Sequence, residues 1–318
     1  MSESRRPQVS VIVPAYNEPE YLPECLRSVQ GQTFTDWECI VVNDGSPRGD
    51  EIRAAVAAMN DLRFRLVEHE KNRGPAAARN TGVREAQAEL VVCVDEDDWI
   101  REDCLERLLF QFDQEDTEIV CPQGWMVGAR PRIRACRLPT IEEILAQQTL
   151  LPAGFLFRKS TWKEVGGWDE HPILVRGRED AEWWIRVIRH GCRIRVIAEA
   201  LYLYREAQTA NDAARSLDIN ARQHEVRLRR YIIKKHADLY AKYPFQRRKV
   251  LAIACEAEAR FCEKSGKVWR SMLRRWQAAM FLPERRRLKK AVKTTAAALL
   301  GERRLESILR RKRQLAGA

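Results

Sequence analysis

Short β-branched runs alternate with helical spacings along the first hundred residues. Residues 9–13 (VSVIV), ended by Pro14, suit a buried parallel strand, in which both faces are covered and the run is continuously apolar. Helical spacing follows at Tyr21, Leu22, Leu26 and Val29. A second strand, Glu38 to Val42, closes in the turn Asn43-Asp44-Gly45-Ser46. Ile52, Val56 and Met59 mark a helix that leads to a third strand, Phe64 to Val67. A further helix over 76–86 precedes a fourth strand, Leu90 to Val94. This rhythm predicts an α/β fold with a doubly wound, mostly parallel, Rossmann-like sheet. Ligands of such sheets sit beyond the carboxyl ends of the strands. Those ends here carry Pro14-Ala15-Tyr16-Asn17-Glu18, Asn43-Asp44-Gly45-Ser46 and Asp95-Glu96-Asp97-Asp98, so the polar clusters gather on one edge.

From about residue 119 to 205 the rhythm loosens. A turn-rich piece, Val165-Gly166-Gly167-Trp168-Asp169-Glu170, is followed by Gly177-Arg178-Glu179-Asp180. That segment opens a helix through Trp183, Trp184, Ile185 and Ile188, which stops at His190-Gly191. Trp183 and Trp184 are adjacent and cannot share a helix face, so at least one is expected away from the centre of the core. Beyond about 212 the pattern is helical throughout, with breaks at Tyr243-Pro244, Ser265-Gly266, Leu282-Pro283 and Gly301. The expected division is an α/β domain over 1–212 and an α-helical extension over 213–318.

At 318 residues the chain is long enough for such a pair. The opening MSESRRPQVSVIVP has no long apolar run, which predicts neither a signal peptide nor a membrane span. The nine cysteines form no C-x-x-C pair, which favours reduced thiols in a cytoplasmic protein over structural zinc. The net charge of +11 is concentrated: residues 281–318 hold twelve Lys and Arg against three acids, nine of the eleven charges. Within 284–313, Leu288, Val292, Leu299, Leu300, Leu305, Ile308 and Leu309 sit among these cations. A basic helix with an apolar side reads as a binder of anionic membrane surface. A solvated face or a self-association helix fits the same pattern. No aromatic follows Phe281, and no recognition motif is present, which excludes nucleic acid as a partner.

Asp95-Glu96-Asp97-Asp98 holds the densest candidate chemistry. Adjacent carboxylates repel one another, and a hard dication such as Mg²⁺ or Mn²⁺ relieves that cost through one or two carboxylates plus substrate phosphates. A helix N-terminus capped by Asp98, with acids facing the macrodipole, explains the segment equally well. Asp180 has the same two readings, a reactive carboxylate or a favourable acid in a first helical turn. His171 and His190 read as turn or surface residues, since neither has a second ligand at metal spacing.

Taken together, VSVIVPAYNE (9–18), WECIVVNDGS (37–46), NRGPAAARNTG (72–82), LVVCVDEDDW (90–99), EVGGWDE (164–170) and GREDAEWWIRVIRHG (177–191) resemble glycosyltransferase family 2. Each motif is weak alone, but all six occur in the family's order over residues 8 to 205. The resemblance implies a GT-A fold and an inverting, metal-dependent enzyme that uses a nucleotide sugar, with UDP as nucleotide. Pro14, Ala15, Tyr16 and Glu18 would line the nucleotide pocket, Asp44 would receive a base N–H, and Arg79 would lie near the diphosphate. Asp95 and Asp97 resemble the family's D-x-D pair, Asp95 toward ribose or metal and Asp97 on the metal. Asp180 matches the general base. Trp168, Asp169 and Glu179 are candidates for contact with the acceptor, a glycan or lipid-linked hydroxyl of cell-surface polysaccharide synthesis on the inner face of the membrane. One departure stands out: Leu203-Tyr204-Arg205-Glu206-Ala207-Gln208 lacks the His that family members often carry there, leaving Glu206 or Gln208 as substitutes. The competing reading is a degenerate nucleotide-sugar-binding module that works through its basic tail.

Overall fold

The computed structural model describes residues 6–112, 116–128, 130–147, 151, 153–206 and 219–300. Gln208 and the basic residues beyond 300 lie outside them, as do Leu305, Ile308 and Leu309. The chain divides into two compact units, Met1–Ala213 and Ala214–Ala318.

The first unit is built on a nine-stranded sheet of order β3-β2-β1-β4-β8-β6-β9-β5, with β7 paired to β6. Its first half follows the expected rhythm. Strands β1 (Val9–Ala15), β2 (Trp37–Asn43), β3 (Phe64–Glu68) and β4 (Leu90–Cys93) are mutually parallel. Helices α1 (Leu22–Gln30), α2 (Gly49–Ala58) and α3 (Pro75–Glu85) connect them. All seven residues of β2 are buried, as a strand covered on both faces requires. Helix α3 lies close on β1 because Gly82 carries no side chain; a Cβ there would stand 2.2 Å from Ile12 Cγ2.

The second half is mixed, so the sheet as a whole is less parallel than the N-terminal rhythm implies. Strand β5 (Trp99–Ile100) precedes α4 (Cys104–Phe112), and β6 (Ile119–Val127) then turns back through β7 (Arg132–Arg134) as an antiparallel hairpin. Strand β8 (Leu156–Arg158) inserts antiparallel between β4 and β6, and β9 (Ile194–Arg205) runs parallel to β6 and antiparallel to β5. The β6–β7 hairpin and the insertion of β8 make these pairings antiparallel, and among the described residues only β6 and β9 pair in parallel here. Helices α5 (Ile141–Leu145), α6 (Lys159–Val165) and α7 (Glu179–His190) belong to this half. Trp183 and Trp184 of α7 are both buried, at 0% and 2% exposure. Phe155 accommodates the pair, with ring centroids 5.3 and 4.8 Å from the two indoles, so α7 is enclosed on both faces.

The second unit consists of helices α8 (Ile219–Lys235), α9 (Ala237–Lys242), α10 (Pro244–Lys264), α11 (Val268–Phe281) and α12 (Arg285–Leu300). The breaks at 243–244, 265–266 and 282–283 separate successive helices, and Gly266 adopts φ of 68° where α10 ends. None of the described helices is long and apolar enough to cross a membrane.

Candidate functional site

Chain order reverses at β1. Strands β2 and β3 lie on one side and β4 on the other, so a crevice opens beyond the carboxyl ends of β1 and β4. The loops after these two strands are stapled by Glu96. Its Oε1 accepts the backbone N–H groups of Tyr16, Asn17 and Glu18, at 2.9, 3.1 and 3.3 Å. Its Oε2 is buried without a partner among the described residues. Burial raises the Glu96 carboxyl to about 7 despite the three donors. Glu96 is thus the organiser of the Pro14–Glu18 loop, a role its place between two aspartates does not signal.

Asp97 is pushed up to about 7, first by burial and then by repulsion from Asp95 and Glu18. Asp98 is buried and accepts the Arg205 N–H at 2.9 Å; burial, Asp97 and Asp95 hold its carboxyl well above the usual range. The helix-cap explanation of these acids therefore fails: α4 begins only at Cys104, whose N–H bonds to the Arg101 carbonyl. Arg205 also donates from Nε to the Asp97 carbonyl at 3.0 Å and lies over the rings of Tyr21 and Trp99. The acidic turn is held from β9 by Arg205. Glu206 is turned toward β7, where it pairs with Arg132 at 2.8 Å.

Asp44 is 3% exposed and its carboxylate is largely engaged. Oδ1 accepts the Arg73 N–H at 3.0 Å and meets His69 Nδ1 at 2.7 Å, while Oδ2 accepts the Gly74 N–H at 2.7 Å. His69 continues to Thr81 Oγ1 at 2.9 Å. A carboxylate offers about four acceptor positions, of which these contacts fill three. Gly45 beside it has φ of 64°, and a Cβ would come within 2.4 Å of Lys71 backbone. Only glycine lets the two loops approach.

The charged centre is Arg79 on α3. Its guanidinium donates to Asp95 Oδ1 at 2.8 Å, Glu179 Oε1 at 2.9 Å and Asp180 Oδ1 at 3.5 Å. Burial opposes its charge, but Asp95, Asp180 and Glu179 together outweigh that and hold it protonated. Glu179 is buried and raised to about 7 by desolvation and by Asp180, against the pull of Arg79. Asp180, whose side chain is 48% exposed, stands at the pocket's edge. Desolvation by the surrounding walls raises its carboxyl, Arg79 pulls it back, and Asp95 raises it again. Arg178 immediately before the pair adopts φ of 76°, a left-handed conformation that aims the first turn of α7 at Arg79. Arg79, Asp95 and Asp180 border a cavity of about 110 Å³ that Arg134, Trp168 and Tyr204 also line.

The acceptor-side candidates are largely engaged within the protein. Trp168 is 3% exposed, stacked on Trp183 at 5.0 Å and packed by the edge of Phe157, so its faces are taken and no open ring remains for a sugar to stack on. Asp169 spends Oδ1 on the His171 N–H within the turn, and Glu179 is committed to Arg79. The Gly166-Gly167-Trp168 loop is instead fixed by Asn80. Its amide donates to the Trp168 carbonyl and Glu170 and accepts from Trp162 Nε1 and the Trp168 N–H, all at 2.8–3.0 Å. Arg134 of β7, over the Tyr204 ring at 4.4 Å, lines the cavity without having been signalled by sequence.

The donor chemistry fits a hard dication in one mode only. Among the described residues, no three Asp, Glu, His or Cys side chains converge as a ready-made cage. Asp97 and Asp95 could offer one or two carboxylates, which is the protein's share in Mg²⁺ sites completed by phosphate oxygens. His171 accepts the Ile173 N–H and His190 approaches Glu164, both away from this centre.

The Glycosyl transferase family 2 profile matches residues 10–151. The glycosyltransferase EpsJ of Bacillus subtilis is 32% identical over 216 residues, 63% of this chain and 61% of its own length. This chain thus spans less than two thirds of that relative. Among solved structures, S. aureus TarS 1-349 in complex with UDP-GlcNAc superposes with a TM-score of 0.55 at 17% identity, covering 92% of each chain. The mannosyltransferase PcManGT of Pyrobaculum calidifontis, in complex with GDP-Man and Mn²⁺, gives 0.50 at 22% identity, covering 93% of this chain and 87% of its own. At such identities the likeness establishes the architecture.

Proposed function

As a member of glycosyltransferase family 2, with that family's GT-A fold, the chain is, we propose, an inverting enzyme that moves a sugar from a UDP-sugar to a hydroxyl of a glycan or lipid-linked acceptor in cell-surface polysaccharide synthesis. Residues 1–212 would be the catalytic domain and 213–318 a basic helical extension that works at the inner face of the membrane. The observation that carries this reading is the single guanidinium of Arg79, bonded to Asp95 on one side and to Glu179 and Asp180 on the other across one cavity.

In this reading Pro14, Ala15 and Tyr16 border the nucleotide, and the free acceptor position of Asp44 takes a base N–H. Asp95 meets ribose or metal, and Asp97 is the metal ligand. The dication, Mg²⁺ or Mn²⁺, supplies charge stabilisation for the departing diphosphate. Asp180 accepts the acceptor hydroxyl's proton as that oxygen bonds to the anomeric carbon and the bond from that carbon to the diphosphate oxygen breaks. One displacement inverts the anomeric centre. A carboxyl raised from the ordinary aspartate range toward the working pH is the better base, because proton affinity rises while the group stays ionised.

Asp180→Asn is expected to lower transfer by about 10²–10⁴-fold while leaving UDP binding within a few-fold, read by nucleoside diphosphate release and by thermal shift. Equal loss of both removes Asp180 as base. No diphosphate release from any of a panel of sugar nucleotides, with either metal and mixed acceptors, points instead to a binding module.

A further inference from the structure

The helical unit holds a second charged cavity, of about 480 Å³, between α8, α10 and the start of α11. Four cations line it: Arg227, Lys267, Arg270 and Arg274. The one acid, Glu258, is already satisfied, by the Val226 N–H at 2.9 Å and by Arg274 at 2.6 Å. Among the described residues no carboxylate pairs with Arg227, Lys267 or Arg270, so three cations face the cavity unmatched. A concavity with this balance recognises an anion of more than one charge.

Beside it runs an apolar stripe. On α11, Trp269, Leu273, Trp276 and Met280 are 58%, 55%, 38% and 79% exposed at successive turns of one face. Leu288, Val292 and Leu299 form a like stripe on α12, exposed by 40%, 56% and 67%. The two stripes adjoin, since Trp276 Nε1 donates to Thr295 Oγ1 at 2.9 Å and Thr295 lies between Val292 and Leu299. Leu273 belongs to both stripe and cavity. An exposed apolar surface of this extent marks an interaction face.

We propose that this face binds an anionic phospholipid bilayer, with a headgroup phosphate in the Arg227–Lys267–Arg270 cavity and the α11–α12 stripe in the acyl boundary. The inference rests on the membrane-surface reading above and moves its centre from the distal tail to α11. Charge decides the occupant. Together α11 and α12 carry nine Lys and Arg and no acid; Arg274, Arg275 and Arg287 are paired to Glu258, Glu263 and Glu256, which leaves six cations in excess. A second copy would set these cations against one another, at a cost that like-charge pairing imposes. Nucleic acid would complement the cations but leave Leu273, Met280, Leu288 and Val292 in water. A lipid surface answers both halves: phosphate for the cations, and hydrocarbon for Leu and Met with Trp at the boundary.

The test is flotation of the full chain on phosphatidylglycerol–phosphatidylcholine vesicles and on pure phosphatidylcholine. The protein is expected to float with the anionic vesicles only and to be released by salt. Lys267→Ala with Arg270→Ala, and separately Leu273→Asp, should each weaken partitioning about tenfold or more, with melting curves unchanged. Charge reversal at Arg310, Arg311, Lys312 and Arg313 should weaken it less. Thermal shift with UDP, run on the same preparations, reads the transferase proposal independently. If the wild type stays soluble on anionic vesicles, the membrane reading and this site fall together. Binding lost only on reversing the distal cations overturns the site alone. A concentration-dependent dimer abolished by Leu273→Asp, or capture by an oligonucleotide in place of vesicles, assigns the face to another occupant and equally overturns it.

Discussion

Two residues show how narrowly the site is specified. Glu179 is a carboxylate in a place that resists charge; its folded pKa of about 7 lies above the ordinary value of 4.5. Between those values the folded state holds a proton that the unfolded chain releases, so raising the pH through that window costs stability. The melting temperature of the wild type should therefore fall from about pH 4.5 to about pH 7, and Glu179→Gln should flatten that slope. A slope unchanged by the substitution would mean that Glu179 is ionised throughout. Gly82 is constrained by space. Gly82→Ala puts a methyl against Ile12 and should cost about 1–3 kcal/mol in chemical denaturation. Combining it with Ile12→Ala should recover part of that cost, which a general helix effect would not do.

At the scale of elements, the crevice depends on loops that hold one another. Glu96 ties the loop after β4 to the loop after β1, Arg205 ties it to β9, and Asn80 ties α3 to the Gly166–Trp168 loop. The acidic turn is thus fixed from both sides before any ligand arrives, with Asp97 left carrying the unrelieved repulsion. Mn²⁺ together with UDP should raise the melting temperature of the wild type well above UDP alone. Asp97→Asn should erase that metal-dependent increment. If the increment survives the substitution, the metal ligand lies elsewhere.

Across the whole molecule, the legible and the hidden parts follow from range. Continuous apolar runs and Gly or Pro punctuation are local signals, and they located β1 to β4, the breaks between the C-terminal helices and the strand-end acids. The antiparallel insertion of β8 between β4 and β6 is decided by pairing across more than sixty residues, which no window of sequence contains. The same holds at the site. Asp95, Arg79 and Asp180 were readable as motif members, whereas the staple of Glu96, the Asp44–His69–Thr81 chain and the approach of Arg134 are contacts between distant segments. Exposure misled in one instance: Trp168 sits in a glycine-rich turn yet packs among two rings and the Arg79 guanidinium, because the Asn80 hydrogen bonds draw that turn inward. The shared guanidinium of Arg79 has a consequence for timing. Acids on β4's loop and on α7 compete for one positive charge, so neutralising Asp95 from outside frees more of that charge for Asp180 and lowers its proton affinity. Occupancy at one end of the crevice is thereby felt at the other as a change of basicity, transmitted through a side chain with no backbone needing to move.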